Sequence, residues 1–140
     1  MEGLNWVDKW LAKDNDRISV QVINDALEKA EEEIKNKADK YGRGSLRDKV
    51  NYKDGVLQVG IYTIRNTIIK VGYELNIEKV NGEKYPWSLQ IQKDKSVDRV
   101  KLILIEDIGR EENKIVGEHE HIKRDNIFYA IGELFKVNEI

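Results

Sequence analysis

Between Val56 and Ile77 the chain alternates apolar residues with others at a period of two, and no other stretch restricts the possible folds as severely. In the first arm Leu57, Val59, Ile61 and Thr63 alternate with Val56, Gln58, Gly60 and Tyr62. In the second, Ile69, Val71, Tyr73, Leu75 and Ile77 alternate with Lys70, Gly72, Glu74, Asn76 and Glu78. Successive strand residues point to opposite faces, so the pattern predicts a β-hairpin with one apolar and one polar face. If the two odd-numbered sets share a face, paired positions must sum to an even number, which excludes a two-residue turn. A three-residue loop at Ile64-Arg65-Asn66 is therefore expected, with Asn66 in the left-handed position and pairs Leu57 with Tyr73, Val59 with Val71 and Ile61 with Ile69. On the other face Gly60 and Gly72 would become diagonal neighbours, leaving a bare patch beside Tyr62, Lys70 and Glu74. Either another part of the chain fills that patch or a ligand or second chain approaches there.

The flanking segments extend this sheet. Asn81-Gly82 is a strong turn dipeptide that should return the chain into a strand from Trp87 to Gln92. A plain two-residue turn would place Trp87, Leu89 and Ile91 on the polar face, so a bulge is expected between Glu83 and Trp87, where Pro86 cannot donate to the ladder. Val97 to Glu106 is apolar on both sides and reads as a central strand, whereas the more polar Ile115 to Ile122 belongs nearer an edge.

Helical spacing occurs three times. Leu4 to Ala12, capped by Asn5, gathers Trp6, Val7, Trp10 and Leu11 on one side. Ser19 to Tyr41 carries a stripe of Val22, Ile23, Ala26, Leu27, Ala30, Ile34, Ala38 and Tyr41, ended by Gly42. Asp125 or Asn126 should cap a last helix from Ile127 to about Val137. Gly42 to Gly55 is a polar connection in which Ser45 to Tyr52 forms a short strand or helical turn. The expected fold is a single α+β domain over residues 1–140: a mainly antiparallel meander sheet of about five strands, covered on one face by the long helix and the C-terminal helix.

Composition removes several chemistries. The absence of cysteine excludes disulfides, thiolate metal sites and a cysteine nucleophile. No apolar run approaches the roughly 20 residues of a membrane span. The formal charge of −2 indicates neither a dedicated nucleic-acid binder nor an acidic mimic of one. No phosphate loop, dinucleotide fingerprint or nucleophile elbow is present, and no cofactor is expected. A cytoplasmic protein that contacts no membrane fits these features.

Three groups of residues remain as candidates. The only histidines, His119 and His121, would project from the same face of a strand, but a metal site needs a third ligand that the sequence does not identify. With Glu112-Asn113-Lys114 and an acid at Asp98 or Asp107 they form the basis of an alternative reading as a small metal-dependent hydrolase or nuclease. Trp6 and Trp10, with the strand face bearing Gly60, Tyr62 and Gly72, offer an interface for a homodimer. Arg43 and Arg47, supported by Lys49 and Lys53, lie in a glycine-punctuated loop and would clamp an anion. The favoured expectation is a non-catalytic intracellular binding protein, of the kind used as small phage or mobile-element inhibitors or sequestering proteins, recognising an anionic ligand or a protein partner.

Overall fold

The computed structural model describes residues 20–94, 99–106 and 113–140. Helix α1 (Val20–Lys40) and a single turn α2 (Gly44–Arg47) precede strands β1 (Val50–Lys53), β2 (Val56–Val59), β3 (Tyr62–Ile69), β4 (Gly72–Lys79), β5 (Trp87–Asp94), β6 (Arg99–Glu106) and β7 (Asn113–His119), and helix α3 (Arg124–Val137) closes the chain. The strands form one seven-stranded sheet in sequence order, every neighbouring pair antiparallel. The α+β meander is as expected, with seven strands instead of about five. The expected helix Leu4 to Ala12, with Trp6 and Trp10, lies outside the described residues, as do Asp98, Asp107 and Glu112.

One of the two additional strands is β1, and the other arises in the central stretch, which is three strands and not one hairpin. Two-residue turns at Asp54-Gly55, Gly60-Ile61 and Lys70-Val71 separate β1 to β4. Each such turn exchanges the parity of the inward residues, so Leu57 and Val59 are followed on the same face by Tyr62 and Ile64, and then by Leu75 and Ile77. Ile64, expected in a loop, instead lies opposite both Leu57 and Ile77 and is fully buried. Ile61, expected in the core, is half exposed in a turn. Gly60 takes φ of 60° at the first turn position, which a side chain would resist, while Asp54 and Gly55 take 52° and 79°. The expected Gly60 and Gly72 patch does not form, because the two glycines stand at opposite ends of β3. A Cβ on Gly72 would lie 2.0 Å from the Ile91 carbonyl oxygen, so β5 occupies the space that glycine leaves.

An irregularity does lie before β5, around Pro86, but it is not the bulge that was expected to change the register by one. Glu78 bridges Lys84, yet further along Leu75 faces Leu89. Three residues of β4 separate the first pair from the second against five on the other strand, so the chain around Pro86 carries two extra residues. Two extra residues leave the facing unchanged, so it is the preceding turn that sets it: Lys79 lies opposite Glu83 across three residues instead of two, and this places Trp87, Leu89 and Ile91 on the inner face. There Leu57, Ile64, Leu75, Ile77, Leu89, Ile91, Val100, Leu102 and Leu104 pack with Ile23, Ala26, Leu27 and Ala30 of α1 and Ile127, Ala130, Ile131 and Leu134 of α3. Both helices therefore lie on one face. The opposite face bears a polar row in which the Glu74 carboxylate accepts from Asn76 Nδ2 at 3.0 Å and Gln90 Nε2 at 2.7 Å.

Side chains and caps fix the ends of the elements. Gly42, with φ of 70°, ends α1 as expected, and the Arg43 N–H returns to the Ala38 carbonyl. The edge strand β1 is tied to α1 where the Tyr52 N–H donates to the Glu31 carboxylate. Lys123 is the N-cap of α3, and the Asn126 side chain accepts its N–H at 3.0 Å, so Asn126 serves the cap from the third helical position. At the other end Asn138 is buried and exchanges two hydrogen bonds with the backbone of Trp87, locking the C-terminus of the helix to the start of β5.

Candidate functional site

The helical layer carries an apolar concavity. Helices α1 and α3 pack side by side, and Ala26, Ala30, Ala130 and Ile131 belong to the core beneath them. Residues of both helices, with Leu46, line an open groove of about 620 Å³. Ile34, Ala38 and Leu46 form one wall, and Phe128, Ile131 and Phe135 form the other. Two tyrosines of the groove are strongly exposed, Tyr41 at 71% and Tyr129 at 60%. Tyr41 ends the stripe expected to be buried, yet it lies just past the end of α1, in the turn, and is exposed.

Gly132 sits in the interior of α3 and lines the groove. A glycine there costs a helix about 1 kcal/mol relative to alanine. Packing does not require it, since a Cβ at this position would meet nothing within 4 Å. The groove is thus deepened at a position where the helix alone would favour a larger residue.

Charges border the apolar walls. Lys29 donates to Asp125 at 2.7 Å and stands 4.7 Å from the centroid of the Phe128 ring, so a cation and its partner close one end of the groove. Its ammonium holds the Asp125 carboxyl below the ordinary carboxylate range, through the hydrogen bond first and the charge second. Lys37, Arg43, Glu33 and Glu133 complete a rim of both signs.

The four cations expected to bind an anion are not gathered. Arg43 belongs to the groove, whereas Arg47 donates to Asp39 at 2.8 Å. Arg47 and Lys49 border a separate polar hollow of about 850 Å³ with Lys35, Asp48, Asn51 and Gln58, while Lys53 ends β1 and lines neither. Within that hollow Arg47 is already matched by Asp39, and Lys35 lies 3.8 Å from Glu31.

The histidine pair also separates. His119 is the last residue of β7 and folds back toward Gly117, while His121 lies in the bend that follows, so the two do not share a strand face. Among the described residues no group of three His, Cys, Asp or Glu side chains is placed to hold a metal ion. Of the expected nuclease-like set, Asn113 and Lys114 are described, both exposed on the edge strand, and the three acids lie outside the described residues. Tyr62 packs inward against Tyr85, ring centroids 5.8 Å apart, and is not an element of an open strand face. No described helix is long and apolar enough to cross a membrane.

The groove residues Ile34, Tyr129 and Gly132 were not singled out as a site from the sequence. Their signal was an interior helix glycine three residues after a tyrosine, which acquires meaning only when α1 is known to lie alongside. Searches against protein families, characterised proteins and solved structures found no match.

Proposed function

We propose that this chain is a non-catalytic binding protein and that the groove between α1 and α3 is its recognition surface for a helix of a protein partner. The observation that supports this reading is the open apolar channel beside Gly132, flanked by two exposed tyrosines. An amphipathic helix would lay its apolar side between Ile34 and Phe128, and tyrosines at such a surface supply large contact area at a small entropic cost. Arg43 at the rim would meet a carboxylate on the partner, which retains part of the expected preference for anionic groups.

Amide chemical-shift mapping with indole as an apolar probe tests the location of the site. Shifts are expected around Ile34, Tyr41, Phe128 and Gly132, and should disappear in Ile34→Glu. Shifts confined to the hollow beside Lys49, or saturable shifts nowhere, would refute the assignment.

A further inference from the structure

The exposed stripe of α3 is self-complementary. Asp125, Tyr129, Gly132 and Lys136 follow one another at spacings of four, three and four residues, which places them on one side of the helix, and all four are exposed. Asp125 and Lys136 lie equally far on either side of the point midway between Ala130 and Ile131, and so do Tyr129 and Gly132. The stripe therefore reads acid, knob, gap, base from one end and base, gap, knob, acid from the other.

We infer that the partner is a second copy of this chain, whose α3 lies antiparallel on the same stripe about a two-fold axis near Ala130 and Ile131. This rests on the reading of the groove as a protein-docking surface and names its occupant. In that arrangement Tyr129 of each copy enters the open space over Gly132 of the other. Asp125 meets the second copy's Lys136, and the reverse contact forms at the same time, as an isologous interface requires. Phe128 and Glu133 are also symmetric about the midpoint, so the carboxylate of one copy approaches the ring of the other, where Lys29 already stands 4.7 Å above it. The charges at both ends thus match in sign without rearrangement. A single helix stripe with the adjoining wall of α1 is smaller than a standard stable interface, so the dimer is expected to form in the micromolar range. This surface differs from the Trp6, Trp10, Gly60 and Gly72 surface expected from the sequence.

The test exchanges knob and gap. Light scattering from micromolar to submillimolar protein should show the wild-type chain associating to a dimer. Gly132→Tyr, which makes two knobs meet, and Tyr129→Gly, which makes two gaps meet, should each weaken association at least about tenfold. Carrying both substitutions moves the knob to the other side of the axis and should restore association to near that of the wild type, with the same composition. Because the chain has no cysteine, Tyr129→Cys mixed with Gly132→Cys should form a mixed disulfide dimer under mild oxidation, faster than either variant alone. A wild-type mass that stays monomeric overturns the inference, as does a dimer that neither single substitution weakens or that the exchange fails to restore. If indole still shifts the groove amides of a monomeric chain, only the identity of the partner has failed; if neither association nor indole binding is seen, the docking surface has failed as well.

Discussion

The bond between the C-terminus and β5 gives the sharpest test of how the fold is held. Asn138, 7% exposed, accepts the Trp87 N–H at 3.1 Å and donates through Nδ2 to the Trp87 and Leu134 carbonyls, each also at 3.1 Å. Asn138→Ala removes all three. Each is worth about 1 kcal/mol net, and a buried N–H left without an acceptor costs about 1–3 kcal/mol. The Leu134 carbonyl still receives the Asn138 backbone N–H at 3.3 Å, so its loss is partly offset. The expected total is about 2–4 kcal/mol, a large part of the roughly 5–15 kcal/mol that stabilises an ordinary domain. For a chain of this length that lowers the melting temperature by roughly 10 °C.

Asn138→Asp separates hydrogen bonding from volume. It keeps an oxygen for the Trp87 N–H but turns a second oxygen toward two carbonyls, so it should lose as much as alanine at neutral pH and recover part of the loss when the carboxyl is protonated. Urea denaturation followed by far-ultraviolet circular dichroism, with hydrogen exchange at the Trp87 amide, measures both effects. A loss below about 1 kcal/mol for Asn138→Ala, or an aspartate variant as stable as wild type at neutral pH, would show that the two-way amide bond does not hold the helix end.

Ile64→Asp should cost about 4 kcal/mol or more by burying an unpaired charge, while Ile61→Asp in the turn should cost less than about 1 kcal/mol; similar urea midpoints for the two would contradict the parity exchange. Asn66→Val should stabilise by about 1 kcal/mol, because the Asn66 Oδ1 is buried without a hydrogen-bond partner on the inner face of β3, and calorimetry reads the gain. Gly132→Ala should stabilise the monomer by about 0.5–1 kcal/mol in chemical denaturation, since the new methyl meets nothing. Because Lys29 depresses the folded pKa of Asp125, that carboxylate stabilises the fold above its ordinary value and loses the contribution as pH falls through the folded one. Asp125→Asn should therefore differ from wild type at neutral pH and converge with it in acid, and a constant gap in urea midpoints across the acid range would count against the Lys29 contact.

The helices could be read from the sequence because their determinants are local. The apolar stripe of α1, its left-handed stop at Gly42 and the stripe of α3 all depend on residues within a few turns of one another. Before β5 the face of Trp87, Leu89 and Ile91 showed that a plain two-residue turn at Asn81-Gly82 could not hold, but the change comes from a longer turn and not from the bulge expected near Pro86. The β1 to β4 region was misread because parity was taken as continuous from Leu57 to Ile77, which pushed Ile64 into a loop and Ile61 into the core. Asp54-Gly55 is a strong two-residue hairpin signal and would have opened the sheet one strand earlier. Gly60 before Ile61 carries a weaker one, hidden because an isoleucine in a turn imitates the next inward residue of a strand.

The groove was illegible for a different reason. Which side of α3 faces solvent follows from the burial of Ile127, Ala130, Ile131 and Leu134 against the sheet, and the height of the groove walls follows from where α1 lies beside it. Neither is encoded in the spacing of Asp125, Tyr129, Gly132 and Lys136 alone. Once the core claims the other side of the helix, the order of those four residues ceases to be an arbitrary surface pattern. An exposed aromatic ring one turn from an unrequired glycine, with opposite charges at equal distances beyond them, is the arrangement that two-fold symmetry would use twice. The self-association we propose would account for the tyrosine, the glycine and the terminal charges of α3 together.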